Sequence, residues 1–506
     1  MRRTICFLMV FHLFSATICG AKEYYVSSSL GNDSNDGLSV GRPWRTLQRV
    51  QNAHLMPGDS ALLRCGDTWR ETLTLTRPGM PERTIRVGPY GAGSKPRICG
   101  SKVVEKWKEV DPGRFEAPWR GRPNGLILDG IPLRVSVSPA DRRYPTWLST
   151  GKKLLLRLSE RYTGDRRVEV THLGACLTLR RVHDVVIDGI RVEGANVYGI
   201  RMRDCSSIEV KNCEIANNAH YGIALERDDA AKKCSDVTII NNDLTLNANG
   251  IYLFGKAGGY ESDGYVDCKI TNNRITHTNF KGIWGHNTKD GHGIGIQNSS
   301  ECVIEQNYLR YNYSGVALWT ADKFRSDGNK ILSNVIADSW LYGLAQGGDG
   351  ANNSADNLWA GNVVVNNGLS PGQWGGLRIN RQQFGGDEFA NNTLCGNDIN
   401  IYLYSYPDYH LVVGNSSEFP RKYHVYYSEA AGPHNVIDGN RYYGSAIDET
   451  FFIFREGKGL TFLEWKSLSK QDRSSTLLPS RSDAHTTEEV NDYCAQLIEK
   501  SVGVPP

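Results

Sequence analysis

The sequence predicts an all-β solenoid, a right-handed parallel β-helix, on three observations. Its 53 glycines are spread through 506 residues and are not pooled in linkers. Two short phrases recur in step through the middle of the chain. Each alternates apolar and polar residues, the pattern of a strand with one buried face. The glycines have no period of three, which excludes collagen. Hydrophobic residues make up 40% of the chain, enough for a packed core, so wholesale disorder is excluded as well.

Taken in order, residues 1–20 read as a signal peptide. Arg2 and Arg3 precede an apolar run from Ile5 to Ile18, and small residues follow at Gly20 and Ala21. The run is too short to span a bilayer. A retained membrane anchor is the alternative, and Ile18 before Cys19 argues against a lipoprotein. The expectation is a secreted, extracellular or periplasmic, monomeric protein with no membrane contact once the signal is removed. Residues 21–100 are expected to hold the N-terminal cap and first coils. RPWRTLQRVQNA reads as a short amphipathic helix with Leu47, Val50 and Ala53 on one side, suited to covering the open apolar end of a stack. Residues 101–172 lack the coil phrases and read as an inserted β-rich segment. Residues 173–445 are the main β-helix. In 446–506, TFLEWKSLSKQDRSS looks like a second helix, followed by a tail.

The first phrase, Gly-apolar-x-apolar, begins at Gly199, Gly222, Gly250, Gly282, Gly315, Gly343 and Gly376, at spacings of 23, 28, 32, 33, 28 and 33. The second phrase precedes each copy and carries, at its sixth position, Ile190, Cys213, Asn242, Asn273, Asn307, Asn334 and Asn362. Such a repeat is too short for a propeller blade and lacks helical periodicity. Coils stacked about 4.8 Å apart satisfy it. Stacked Asn side chains can bond to one another along the axis, and the Gly column is expected to allow a tight bend, with positive φ permitted. Cys205 and Cys234 fall at matching places in successive coils, and so do Cys268 and Cys302. Each pair should be adjacent, as a disulfide or as stacked buried thiols.

Formal net charge is +3, of which Arg2 and Arg3 supply two, so bulk charge gives no argument for nucleic acid. Six glycosylation sequons, at Asn32, Asn298, Asn312, Asn352, Asn391 and Asn415, add little in an Asn-rich chain.

YYVSSSLGNDSNDGLSVGRPWRTLQ, then PGDSALLRCGDTWRE and the closing TFLEWKSLSKQD, resemble secreted right-handed β-helix proteins of the pectate-lyase-like superfamily. The resemblance covers nearly the whole chain. It implies action on extracellular polysaccharides by lyases, glycoside hydrolases or epimerases, without choosing among them. DGHGIGI, Asp290 to Ile296, is similar to the Gly-His-Gly signature of polygalacturonases. The paired Asp of that family is not matched, because Asp228-Asp229 lies two coils earlier.

Positions two and four after each Gly should point outward. They read Arg201, Ala224, Tyr252, Trp284, Ala317, Ala345, Arg378 and Arg203, Glu226, Phe254, His286, Trp319, Gly347, Asn380. One face thus gains an aromatic centre flanked by Arg. Flat rings suit sugar faces, and Arg suits carboxylate or sulfate. The plainer alternative is that these rings pack under loops. The interval after Gly282 carries His286, Lys289, Asp290 and His292. For a uronan lyase, His286 or His292 would be the base and Lys289 or Lys323 the carboxylate neutraliser. For a hydrolase, Asp290, Asp322 and Asp349, with Glu226 more distant, are the acids. Tyr252, Trp284, Trp319, Arg325, Asp349 and Arg378 complete the expected substrate-binding set. No cofactor is indicated with certainty. Calcium is the ion that Asp263, Asp267 and Asp290 would suit, although their spacing is not diagnostic. The leading expectation is cleavage of an acidic polysaccharide, and a non-catalytic glycan-binding protein is the alternative.

Overall fold

The computed structural model describes residues 20–136, 145–158, 166–229, 234–257, 260–261, 264–284, 291–321, 324–349, 354–372, 375–380, 386–444, 450–455, 457–479 and 487–502. Three long parallel sheets wind along one axis. One coil shows the plan. His183–Asp188 lies in the first sheet, Arg191–Glu193 in the second and Tyr198–Arg203 in the third. The next coil repeats it with Ser206–Lys211, Glu214–Ala216 and Tyr221–Arg227. Inward side chains stack in rows, such as Ile200, Ile223, Ile251, Ile294, Val316, Leu344, Leu377, Ile401 and Val425, all fully buried.

The bend between the first and second sheets explains the Asn column. Asn242, Asn273, Asn307, Asn334, Asn362, Asn392, Asn415 and Asn440 form a continuous ladder. The backbone N–H and Nδ2 of Asn334 both donate to Asn362 Oδ1 at 3.0 Å, and Nδ2 also donates to Ile304 O at 2.9 Å. An amide is suited to this place because it donates and accepts at once where no water reaches. Positive φ falls just before the ladder, at Asn212, Asn241, Asn272, Gln306 and Ser333.

The Gly column has a different reason from the expected one. None of Gly199, Gly222 or Gly250 has positive φ. Each lies too close to the next rung for a side chain: a Cβ on Gly199 would sit 2.5 Å from Gly222 O, and one on Gly250 2.3 Å from Gly293 O. The column is steric and not conformational.

One coil is also displaced from the expected register. The third-sheet strand after Asn249–Ala257 is His292–Gln297, so Gly293 occupies the column and Gly282 does not. Gly282 instead ends a short 3-10 turn, Phe280–Gly282.

Helix α1, Leu47–Ala53, covers the N-terminal end. Thr46 caps it by accepting from Arg49 N–H, and Leu47 and Val50 are buried. Helix α2, Phe462–Ser469, closes the other end, with a Thr461/Glu464 capping box and Trp465 stacked on Phe452. Helix α3, Thr487–Val502, lies against the outer side of the second sheet. Residues 101–171 form two further sheets, largely antiparallel, with their own core around Phe115, Trp147, Leu154 and Val170. Cys205, Cys234, Cys268 and Cys302 are buried free thiols on neighbouring rungs, so this structure holds the stacked-thiol alternative and not the disulfides. The sequons at Asn312 and Asn415 fall on fully buried residues. Among the described residues, no helix is long and apolar enough to cross a membrane.

Candidate functional site

The outward face of the third sheet brings together most of the chemistry-bearing side chains. Register fixes its central column: Arg201, Ala224, Tyr252, Gly295, Ala317, Ala345, Arg378, Tyr402 and Tyr426 are successive neighbours across the rungs. Small residues form the floor and aromatic rings lean over it. The Tyr252 ring occupies the space a Cβ on Gly295 would take, 2.4 Å away, and the Trp319 ring lies 2.8 Å from such a Cβ on Gly347.

The upstream end is electrostatically closed. Glu226 accepts from Tyr198 Oη at 2.6 Å and from Arg201 at 2.5 Å, and Arg203 pairs with Asp228. Burial, and then the Glu226 charge, push the Tyr198 phenol well above its ordinary range. Both arginines are therefore already matched by carboxylates.

In the middle, Tyr221, Tyr252 and Phe254 form a ring cluster with centroids 5.5–5.7 Å apart. His292 lies beyond it, 6.1 Å from the Tyr252 ring and 6.4 Å from the Trp319 ring. It heads a strand and is buried, not displayed on a loop as the sequence suggests.

At the downstream end Arg378 has a different environment. Its guanidinium lies 4.6 Å from the Tyr342 ring, on the rung before, and 4.7 Å from the Tyr404 ring, on the rung after. Nη1 donates to Tyr342 Oη. Its Nε is buried without an acceptor, and no carboxylate among the described residues pairs with it. Asn380 Oδ1, also on this face, is likewise without a donor. Burial pushes the Tyr342 phenol up to about 12, against the pull of the Arg378 charge, so the pair stays cationic at neutral pH. Sequence reasoning misses Tyr342 because it counts only positions two and four. The residue before the Gly has the inward parity along the strand, so alternation alone does not bring its ring to Arg378.

Other expected residues fall elsewhere. Trp284 is not on the face. It is fully buried among Ala219 and Ala248, its ring fills the space beside Gly125 of the inserted segment, and its Nε1 donates to Leu246 O at 3.1 Å. The shift of the Gly column to Gly293 removes it from the outward positions. Arg325 sits on the connection leaving the face and is paired with Asp327. His286, Lys289, Asp290, Asp322 and Lys323 lie outside the described residues, as does the side chain of Asp349. Among the described residues no three His, Cys, Asp or Glu side chains gather to hold a metal ion, and Asp263 and Asp290, two of the three residues suited to calcium, lie outside them.

Comparison with known proteins bears on the fold first. The family described as right-handed β-helix region matches residues 159–264 and 230–417, together just over half of the chain. A 102-residue stretch is 31% identical to lacto-N-biosidase of Bifidobacterium longum subsp. longum, covering 19% of this chain and 6% of that protein. The chain thus matches only a small part of that relative. The structure of XylC in complex with xylose superposes with a TM-score of 0.64 over 92% of this chain and 87% of that one, at 13% identity. A lacto-N-biosidase of glycoside hydrolase family 136 from Eubacterium ramulus gives 0.44 over 91% and 67%, at 14% identity.

Proposed function

Since this chain belongs to the right-handed β-helix family, we propose that it is a secreted carbohydrate-active protein that lays an acidic polysaccharide along the outward face of the third sheet and cleaves it by hydrolysis or β-elimination. The observation that carries this reading is the state of Arg378. Of the three arginines in the outward columns, two are neutralised by Glu226 and Asp228, and the third is held between aromatic rings with no acid partner among the described residues. A guanidinium kept partly desolvated and unpaired is stabilised most by an incoming carboxylate or sulfate, which it can grip through two N–H groups. The rings of Tyr252, Trp319 and Tyr404 supply flat surfaces for the sugars between charges. Sequence similarity to a lacto-N-biosidase supports a glycan as the ligand.

In this reading His292, with His286, Asp290 and Asp322, supplies the proton-transfer groups, and Lys289 or Lys323 neutralises the carboxylate beside the proton that is abstracted. The test is incubation with a panel of uronans and sulfated glycans. Rising absorbance from an unsaturated product identifies a lyase, and new reducing ends without it a hydrolase. His286→Ala and His292→Ala should each lower turnover by about 100-fold or more if the residue moves a proton. Failure to bind or cleave any acidic glycan would overturn the reading.

The non-catalytic alternative has one observation in its favour. Glu226, the buried carboxylate of the described face, is fully engaged by Tyr198 and Arg201 and so is not poised as an acid or base. Binding without either product would select it.

A further inference from the structure

The sulfurs of Cys395 and Cys494 lie 2.9 Å apart, closer than two unbonded sulfurs rest in contact, although the residues are 99 positions apart in sequence. Both are buried. Cys395 ends the second-sheet strand Thr393–Cys395, and Cys494 lies on helix α3. Four other core thiols have a different arrangement. Cys205, Cys213, Cys268 and Cys302 each donate to the carbonyl two residues upstream, at 3.2, 3.1, 3.6 and 3.3 Å. Those sulfurs bond within the stack of coils, to their own coil and to the neighbouring one, as Cys205 does to Leu179 O and Cys268 to Cys302. The 395/494 pair instead joins two elements that no sheet pairing connects.

The surroundings give the pair a purpose. On early rungs the outward positions of the second sheet include charged residues, Arg191, Glu193, Glu214, Asp243 and Arg274, beside Ala216, Thr245 and Thr276. On later rungs they become apolar, with Val335, Ala337, Val363, Val365 and Cys395. Helix α3 covers that apolar stretch through Val490, Cys494, Leu497 and Ile498. Tyr493 adds one polar contact, donating to Glu418 Oε2 at 2.8 Å. A single 16-residue helix held by one small apolar cluster would open readily without a further tie.

We infer that Cys395 and Cys494 form a disulfide in the exported protein, fastening α3 across the later coils as a covalent strap. In this step a bond forms between the two Sγ atoms. The thiols lose two protons and two electrons to an oxidising disulfide of the export compartment, which is itself cleaved to two thiols. The bond closes a loop of about 100 residues, and a cross-link restricts the unfolded chain more the longer the loop it closes. Because both sulfurs are buried, exchange must precede docking of α3, and the finished bond is shielded from reductant. The inference rests on the export expected from residues 1–20 and is independent of any sugar chemistry.

Full-length protein folded in a glutathione disulfide buffer, then alkylated, denatured and digested without reduction, tests it. The expected result is one linked peptide pair containing Cys395 and Cys494 that disappears on reduction. Wild type unfolded, reduced and refolded under reducing conditions should unfold several degrees lower than the oxidised protein, on the order of 3–8 °C. A Cys494→Ser variant should unfold at that lower temperature with or without reductant. Recovery of both residues as alkylated free thiols from the oxidised preparation would overturn the inference, as would linkage of either to a different cysteine. The peptide map is decisive even where the variant fails to accumulate.

Discussion

Asp387 occupies a place where the preceding rungs carry asparagine. Away from the main ladder, Asn329 donates to Asn357, and Asn357 donates through its backbone N–H and Nδ2 to Asp387 Oδ1 at 2.8 Å. Burial pushes the Asp387 carboxyl up to about 7, although the Asn357 hydrogen bonds pull it down. A raised carboxyl pKa means that the folded chain keeps a proton which the unfolded chain, near a pKa of about 3.9, has released. Its contribution to stability is therefore full below about pH 4, declines as pH rises, and is gone above about pH 7. Asp387→Asn keeps the acceptor for Asn357 and cannot ionise. Denaturant unfolding across pH should show a difference between variant and wild type that is flat below about pH 4. It should then turn in the variant's favour by up to about 1.4 kcal/mol per pH unit, and level off above about pH 7. A pH-independent difference would show that Asp387 titrates alike folded and unfolded. The neighbouring His410, 3.7 Å away, is held down to about 4 by burial and is common to both proteins.

The main Asn ladder is legible at this scale because one amide per coil leaves a column in the sequence. Asn334→Ala removes an acceptor from two donors of Asn307 and a donor to Ile304 O. A loss of about 2–4 kcal/mol in unfolding free energy is expected, measured by denaturant titration. Arg378 was visible as an outward cation, but its being unpaired was not. Only the structure distinguishes it from Arg201 and Arg203, because the pairing of Glu226 and Asp228 depends on contacts between rungs.

Among the elements, the strands were readable wherever alternation and the Gly or Asn column coincided. The exception is instructive. GIWG at Gly282 and GIGI at Gly293 both offer a Gly followed by Ile, and even spacing favours the first. The structure uses the second, because at Phe280–Gly282 the chain makes a 3-10 turn and Trp284 packs against Ala219 and Ala248 instead of joining the sheet. Trp284, excluded from the face by that detour, fastens the inserted segment to the coils. Trp284→Ala should lower stability by about 3–5 kcal/mol, by loss of packing against Gly125, Ala219 and Ala248. It should leave glycan affinity within twofold, measured by calorimetric unfolding and titration. A large loss of affinity with unchanged stability would return Trp284 to the binding face. The Cys395–Cys494 contact was not legible in the sequence, since its partners lie 99 residues apart and Cys494 is outside the repeat grid.

For the molecule as a whole, repetition made the architecture readable. The two phrases running in step are enough to give a parallel β-helix, and the structure adds that each coil contributes to three sheets. The reaction is less readable, because catalysis depends on convergence of side chains across coils. The face that results is closed by acid–base pairing at one end and open, cationic and aromatic at the other. The most direct test of this account is titration of an acidic oligosaccharide, and of its carboxyl-reduced counterpart, against wild type and Arg378→Ala. The account predicts that wild type prefers the acidic form, that Arg378→Ala weakens this binding by at least about tenfold, and that affinity for the reduced form is unchanged. Equal binding of the acidic form by wild type and Arg378→Ala would contradict it.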